Sequence, residues 1–295
     1  MKRVGIVGLG DMGIAMAKNI RAAGFSLTGY DLRAERLALL ADLGGEPADS
    51  PQAVGAGSDS VFVMVLNGDQ AREVVGENGL LTGMAQGGAI IMSATIHPSE
   101  AREIGATAEA AGVEFIDTPV SGGKSGAEAG TLTMMTAARA DVLEANRPVL
   151  EAVGEQIFHV GEEIGVGQTV KAALQAFIGA SFAGIFESLV LGAKAGVPGE
   201  TLYEVFSASG VGSALFRNCA KLIMDREFVG TGSHIGTMYK DLSISMALGK
   251  ETGVPLFTTA AAFELFRAGM SKFPAEDNWS IVKLLEDIAD TEVTW

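Results

Sequence analysis

The chain has 295 residues, 48% of them hydrophobic, enough to bury a large core, and its length suits two domains better than one. A formal net charge of −15 argues against a nucleic-acid partner, which needs a basic stripe, so any anionic ligand must be held by a local positive site. The single cysteine, Cys219, excludes an internal disulfide framework and suits a reducing cytoplasm.

Met1-Lys2-Arg3 leads into an apolar run that stops at a glycine turn with no cleavage-like end, so Val4 to Val7 reads as a first strand and not as a signal peptide. The turn, Gly8-Leu9-Gly10-Asp11-Met12-Gly13, has the form GxGxxG and is followed by a helical pattern over Ile14 to Ala23. The motif alone says little. Between a strand and a helix it predicts a tight turn that lets a pyrophosphate approach a helix N-terminus. A second strand, Ser26 to Tyr30, delivers Asp31 at the spacing of a residue that accepts hydrogen bonds from the adenosine ribose. Its charge repels the extra phosphate of NADP, so NAD is favoured over NADP. Arg33, just past Leu32, has the chemistry to hold a 2′-phosphate and softens that choice.

Further strands over Ser60 to Leu66, Ala89 to Ser93 and Glu114 to Asp117 alternate with helical patterns, the sequence form of repeated βαβ units and a parallel sheet covered on both faces. Thr131 to Ala137 and Gln156 to Val160 add two more. From about Gly165 nearly everything reads helical. The predicted fold is therefore α/β: a Rossmann-type, mostly parallel sheet domain over residues 1–163, then an all-α domain over 164–295, joined by a long central helix from Gln168 to Ala195 of roughly 40 Å. The stretch Val170 to Val197 is apolar enough to suggest a membrane span, but Lys171, Gln175, Glu187 and Lys194 interrupt it, and a buried soluble helix with no membrane partner is expected. Its apolar residues run around most of the circumference and need cover from both domains or a second subunit, which predicts a homodimer or homotetramer.

Three later segments carry candidate chemistry. Asp117-Thr118-Pro119-Val120-Ser121-Gly122-Gly123 offers backbone N–H groups and a serine hydroxyl to a carboxylate, though a Ser-Gly-Gly run also suits a flexible turn. Lys171 and Gln175 lie four apart on one helix face. Lys240-Asp241-Leu242 opens another helical pattern, with an ordinary capping and surface pair as the lesser reading of Lys240-Asp241. His97, His159 and His234 lack metal-ligand spacing, and no metal is implied.

With these motifs in this order the chain resembles the β-hydroxyacid dehydrogenase family, which includes 3-hydroxyisobutyrate dehydrogenase, tartronate semialdehyde reductase and threonate dehydrogenases. The resemblance covers essentially the whole chain: Gly8 to Gly13 with Met16-Ala17-Lys18-Asn19, Asp117 to Gly123, Gly165-Val166-Gly167-Gln168 leading to Lys171, and Lys240-Asp241-Leu242. A lone helical lysine usually snorkels to water. The resemblance instead implies that Lys171 is the general acid/base, that Ser121, Gly122 and Gly123 bind the carboxylate of a small substrate, and that Lys240 lies near the nicotinamide. It also implies that Leu66, Asn67 and Thr95 line the cofactor groove. Three positions depart from the family pattern: Asn67 stands where proline is common, His97 where aspartate is frequent, and Gln175 where asparagine usually sits. The longer amide of Gln175, expected to orient the substrate, predicts altered substrate choice.

The implied activity is the reversible NAD-dependent oxidation of a small hydroxy acid, 3-hydroxyisobutyrate-like or a four-carbon sugar acid such as threonate. Two readings compete. A non-catalytic NAD(H)-sensing regulator would need no acid/base lysine, and an imine-reductase-like enzyme usually lacks lysine at the position of Lys171.

Overall fold

The computed structural model describes residues 2–295, which divide into two compact units, one ending at Lys171 and the other spanning Ala172–Trp295. The first unit contains, in order, β1 (Arg3–Val7), α1 (Asp11–Ala22), β2 (Ser26–Tyr30), α2 (Ala34–Asp42), β3 (Glu46–Pro47), α3 (Pro51–Ala56), β4 (Ser60–Val63), α4 (Gly68–Val75) and α5 (Leu80–Gly83). It continues through β5 (Ala89–Met92), α6 (Pro98–Ala110), β6 (Glu114–Asp117), β7 (Val120–Ser121), α7 (Gly123–Ala129), β8 (Leu132–Ala137), α8 (Ala140–Glu151) and β9 (Gly154–Gly161) to the start of α9 (Val166–Lys194).

The sheet order is β3-β2-β1-β4-β5-β6-β8-β7, with β9 also on β8. From β3 to β6 every pair is parallel, whereas β8 runs antiparallel to β6 and β7. The order 3-2-1-4-5-6 is the doubly wound arrangement, whose ligand crevice lies at the carboxyl ends of the strands where the order reverses, here β1 and β4. Successive side chains of a strand face opposite ways, and each central strand feeds two cores. Ile6, Phe62 and Ile91 pack with Met16 and Ile20 of α1 on one face, while Val7, Val61, Val63, Ile90 and Met92 pack with Ala71, Val75 and Ile104 on the other. Each large side chain fully buried this way contributes about 2 kcal/mol.

Several elements end elsewhere than the sequence suggests. The strand expected over Ser60 to Leu66 stops at Val63: the Leu66 N–H turns to Gln70 Oε1 (2.9 Å), and Asn67 caps α4. The central helix begins at Val166, and contacts divide the units at 171/172 rather than at 163/164. The reason is local, because Gly165 and Gln168 at the start of α9 are hydrogen-bonded to Asp117 of β6 and belong to the sheet unit. The Ser121-Gly122-Gly123 run is no flexible turn. Ser121 closes β7, paired with Thr133 of β8, and the two glycines lead directly into α7.

The second unit comprises the rest of α9 with α10 (Gly199–Ala208), α11 (Ala214–Met224), α12 (Ile235–Thr252), α13 (Phe257–Lys272), a 3-10 turn (Asn278–Ile281) and α14 (Val282–Ala289). Phe182, Phe186, Leu189 and Val190 form one stripe of α9 and pack with Phe216, Ile223, Leu242 and Phe266. Phe182 stacks on Phe186 (6.0 Å) and meets Trp279 edge-on (5.5 Å). By length and composition α9 could cross a membrane, with a mean hydropathy of 1.7 in its most apolar window. Only a third of that window is buried, less than the sequence suggests. Phe177 and Leu191 stand 70% and 73% exposed, uncovered by any of the described residues.

Candidate active site

The dinucleotide end of the first unit is built by backbone geometry. Gly8 donates its N–H to the Tyr30 carbonyl (2.9 Å) and adopts φ +93°, and a Cβ there would strike the Met64 carbonyl. A Cβ on Gly13 would collide with the Gly8 carbonyl, so this residue lets α1 close against the turn. Gly10 is different: a Cβ there meets nothing within 4 Å, and Gly10 caps α1 without a side-chain hydrogen bond. Open space beside the uncapped N–H groups of a helix fits a pyrophosphate.

Asp31 follows β2. Its Oδ2 accepts the Leu9 N–H (2.7 Å), and its Oδ1 accepts both the backbone N–H and Nε of Arg33 (3.0 Å each). Burial alone would raise its pKa, but the Arg33 side chain and the two backbone donors outweigh it and hold the carboxyl below its ordinary value. Leu32 is fully outward, and Arg36 pairs with Asp11 of the glycine turn at 3.1 Å. Asp31 thus ties the glycine turn to the end of β2 with its charge intact.

Beyond β4, Leu66 is exposed, and Asn67 accepts the Gln70 N–H (2.9 Å) as N-cap of α4. The asparagine satisfies a helix-end donor that a proline here would leave open. His97 plays a similar part at α6: its Nδ1 accepts the Ser99 N–H while Glu100 accepts the His97 N–H, a capping box. Thr95 lies between Ala94 and Ile96, whose backbone groups are held by Gln168.

Ser121, partly exposed, precedes Gly122 (φ +131°) and Gly123 (φ +59°). Both angles lie in the region that side chains disfavour, and nothing stands within 4 Å of a Cβ built on Gly123. The opening suits the approach of a small anionic group. Asn19 Nδ2 donates to the Ala127 carbonyl (2.6 Å) and anchors α7, which follows this turn, to α1.

Lys171 is 6% exposed in the second turn of α9. Asp117, fully buried, accepts hydrogen bonds from the Gly165 N–H (2.8 Å), the Gln168 N–H (3.3 Å) and Gln168 Nε2 (2.9 Å). Burial pushes its pKa up to about 6, with those donors opposing the rise. The motifs around Asp117 and Gln168 are visible in the sequence, but nothing there pairs the two.

In the second unit, Gln175 Nε2 donates to Asp241 Oδ2 (2.5 Å), and Lys240 Nζ lies 2.8 Å from Asp241 Oδ1. Asp241 is 3% exposed and Lys240 partly exposed, so the pair is anchored on a buried carboxylate and is not an ordinary surface pair. Sequence reasoning named Gln175 and the Lys240-Asp241 pair but did not join Gln175 to that carboxylate. Among the described residues no group of His, Cys, Asp and Glu is placed to hold a metal ion.

A doubly wound sheet with an anion-ready glycine turn and a carboxylate after β2 is the arrangement of a dinucleotide-binding protein. Residues 3–161 match the model for the NAD-binding domain of 6-phosphogluconate dehydrogenase, and residues 165–285 match that for the NAD-binding domain of NADP-dependent 3-hydroxyisobutyrate dehydrogenase. The chain is 34% identical to 2-(hydroxymethyl)glutarate dehydrogenase of Eubacterium barkeri, over 99% of this chain and 97% of that one. It is 32% identical to L-threonate dehydrogenase of Cupriavidus necator, over 97% of each. The crystal structure of 3-hydroxyisobutyrate dehydrogenase from Salmonella typhimurium superposes with a TM-score of 0.88 at 30% identity, covering 96% of this chain and 99% of that one. The chain belongs to the β-hydroxyacid dehydrogenase family and is an NAD-binding oxidoreductase acting on CH–OH groups.

Proposed function

We propose that the chain catalyses reversible oxidation of a small hydroxy acid, 3-hydroxyisobutyrate-like or a four-carbon sugar acid such as threonate, to the oxo acid or semialdehyde, with Lys171 as general acid/base and NAD preferred over NADP. The observation that carries this reading is the burial of Lys171 at 6% exposure near the start of a helix pinned to the sheet by Asp117. An amine kept from water there has work beyond solubility. Relatives that act on 2-(hydroxymethyl)glutarate and L-threonate support the substrate class.

The open turn at Gly10 and the charged Asp31 fit NAD: the α1 N–H groups would hold the pyrophosphate and Asp31 the ribose hydroxyls. Bound NAD supplies the hydride acceptor. The Ser121 hydroxyl and the N–H groups of Gly122 and Gly123 bind the substrate carboxylate, which orients the reacting carbon. Lys171 Nζ removes the hydroxyl proton during oxidation and returns it to the carbonyl oxygen during reduction. The Gln175 amide nitrogen is engaged by Asp241, so its carbonyl oxygen is the atom it offers to a substrate hydroxyl. The exposed face of α9 at Phe177 and Leu191 is assigned to a homodimer or homotetramer interface.

The test is a spectrophotometric screen for NADH formation with 3-hydroxyisobutyrate, L- and D-threonate, erythronate, glycerate and 4-hydroxybutyrate, repeated with NADP. Activity is expected on at least one acid and greater with NAD. A folded, NADH-binding Lys171→Ala variant with near wild-type turnover would overturn the assignment of the base.

A further inference from the structure

We propose that Gln168, oriented by Asp117, is a positioning residue that locks Lys171 and the Thr95 segment into one fixed relation. The inference rests on the reading of Lys171 as the acid/base group.

Gln168 is fully buried, and its carboxamide is used at both ends. Nε2 donates to the Ala94 carbonyl (3.0 Å) and to Asp117 Oδ1 (2.9 Å), while Oε1 accepts the Ile96 N–H (3.1 Å). The amide therefore grips the chain on either side of Thr95. Only a carboxamide can do this, because the segment presents one acceptor and one donor: a carboxylate would face the Ala94 carbonyl with a second oxygen, and an ammonium could not accept from Ile96. Asp117 removes the remaining ambiguity. Its carboxylate takes the second proton of Nε2 and forbids the flipped amide, and its other oxygen takes the Gly165 and Gln168 N–H groups at the start of α9.

The helix start is held this way against rotation as well as translation. Gly167 brings it against the strands so closely that a Cβ there would lie 2.5 Å from the Met135 carbonyl and 2.8 Å from that of Asp117. Lys171 lies three residues beyond Gln168 and so emerges from the same face of α9. Whatever fixes Gln168 against Ala94 and Ile96 fixes Lys171 toward the same edge. A structural pin would need only one of these bonds, yet the amide makes one to each of the two residues that flank Thr95 and a third to Asp117.

The test uses four variants of the whole chain: Gln168→Glu, Gln168→Met, Asp117→Asn, and the double Asp117→Asn/Gln168→Glu. Each is followed by kcat, KM, NADH affinity by fluorescence, and amide exchange at Ile96 in the cofactor-free protein. Gln168→Glu is expected to lower kcat by about tenfold to a hundredfold through misplacement of the base, with KM and NADH affinity changed by less than about threefold. The double variant is expected to recover part of kcat, because the new amide at 117 can donate to the new carboxylate at 168 while still accepting from Gly165. Exchange at Ile96 should rise in Gln168→Met.

Unchanged kcat in Gln168→Glu and Gln168→Met overturns the proposal. So does a parallel fall of kcat, NADH affinity and melting temperature with no recovery in the double variant, which would be a purely structural role. If Gln168→Glu fails to fold, Gln168→Met decides, since it keeps the side-chain length and the Asp117 bonds to both backbone donors. Retained turnover in Lys171→Ala would instead remove the underlying reading. An inactive Lys171→Ala with unaffected Gln168 variants removes only the positioning role.

Discussion

The amide nitrogen of Gln175 donates to the buried carboxylate of Asp241 at 2.5 Å, and the other oxygen of that carboxylate lies 2.8 Å from Lys240 Nζ. A buried carboxylate left with one partner fewer costs about 1–3 kcal/mol. Gln175→Leu is therefore expected to destabilise the chain by about that amount in urea unfolding, because the donor is lost without relieving the acceptor. Gln175→Asn withdraws the amide by one methylene and should cost about 1 kcal/mol while reordering the preferred hydroxy acids. A pair of variants as stable as the wild type, with an unaltered substrate ranking, would sink this reading of Gln175.

Gly10 separates folding from cofactor binding. Its φ of −59° is open to alanine, and a methyl group there touches nothing within 4 Å, so Gly10→Ala should leave the melting temperature nearly unchanged. The same methyl would occupy the space proposed for the pyrophosphate. NADH affinity is expected to fall by about tenfold or more, equivalent to about 1.4 kcal/mol. Gly13→Ala should lower stability as well, because its methyl collides with the Gly8 carbonyl. If NADH binds Gly10→Ala as it binds the wild type, the pyrophosphate lies elsewhere.

In the proposed reading, cofactor choice turns on Asp31 and Arg33. The guanidinium, about half exposed, folds onto the carboxylate. Asp31→Asn removes the repulsion toward a 2′-phosphate and releases Arg33 to meet one. The ratio of kcat/KM with NADP to that with NAD should rise by about tenfold or more, and Arg33→Ala should lower it. An unchanged ratio in both variants would show that neither residue reads the ribose.

The parts of the site legible in the sequence are those whose partners are near in the chain. The glycine turn and Asp31 form a single local unit, and the alternation of strands and helices was enough to read a mostly parallel sheet followed by helices. The antiparallel pairing of β8 and the short strand at Val120–Ser121 carry no periodicity and were not legible. Long-range polar pairs were equally hidden. Gln168 meets Asp117 and Ala94 across 51 and 74 residues, and Gln175 meets Asp241 across 66, so each reads in sequence as an isolated polar residue on an apolar helix. The apolar circumference of α9 was plain, but hydropathy does not tell which side is covered.

Asp117 should give the chain an unusual pH signature. Its pKa of about 6 in the folded protein, raised chiefly by burial, exceeds the ordinary value of 3.8 that applies when unfolded. Between those values the folded chain holds a proton that the unfolded chain has lost. This group's contribution to stability is thus fully present below about pH 4 and is lost as the pH rises through about 6. A difference of about two pKa units corresponds to about 3 kcal/mol. Wild type and Asp117→Asn, compared by urea unfolding from pH 4 to pH 7.5, should differ most in favour of wild type at the acid end, with the gap shrinking toward neutrality. A gap that instead widens from pH 4 to pH 7 would mean that the Gly165 and Gln168 donors outweigh burial, placing the folded pKa below 3.8. Such a result would also make the ionised Asp117 a stronger anchor for α9.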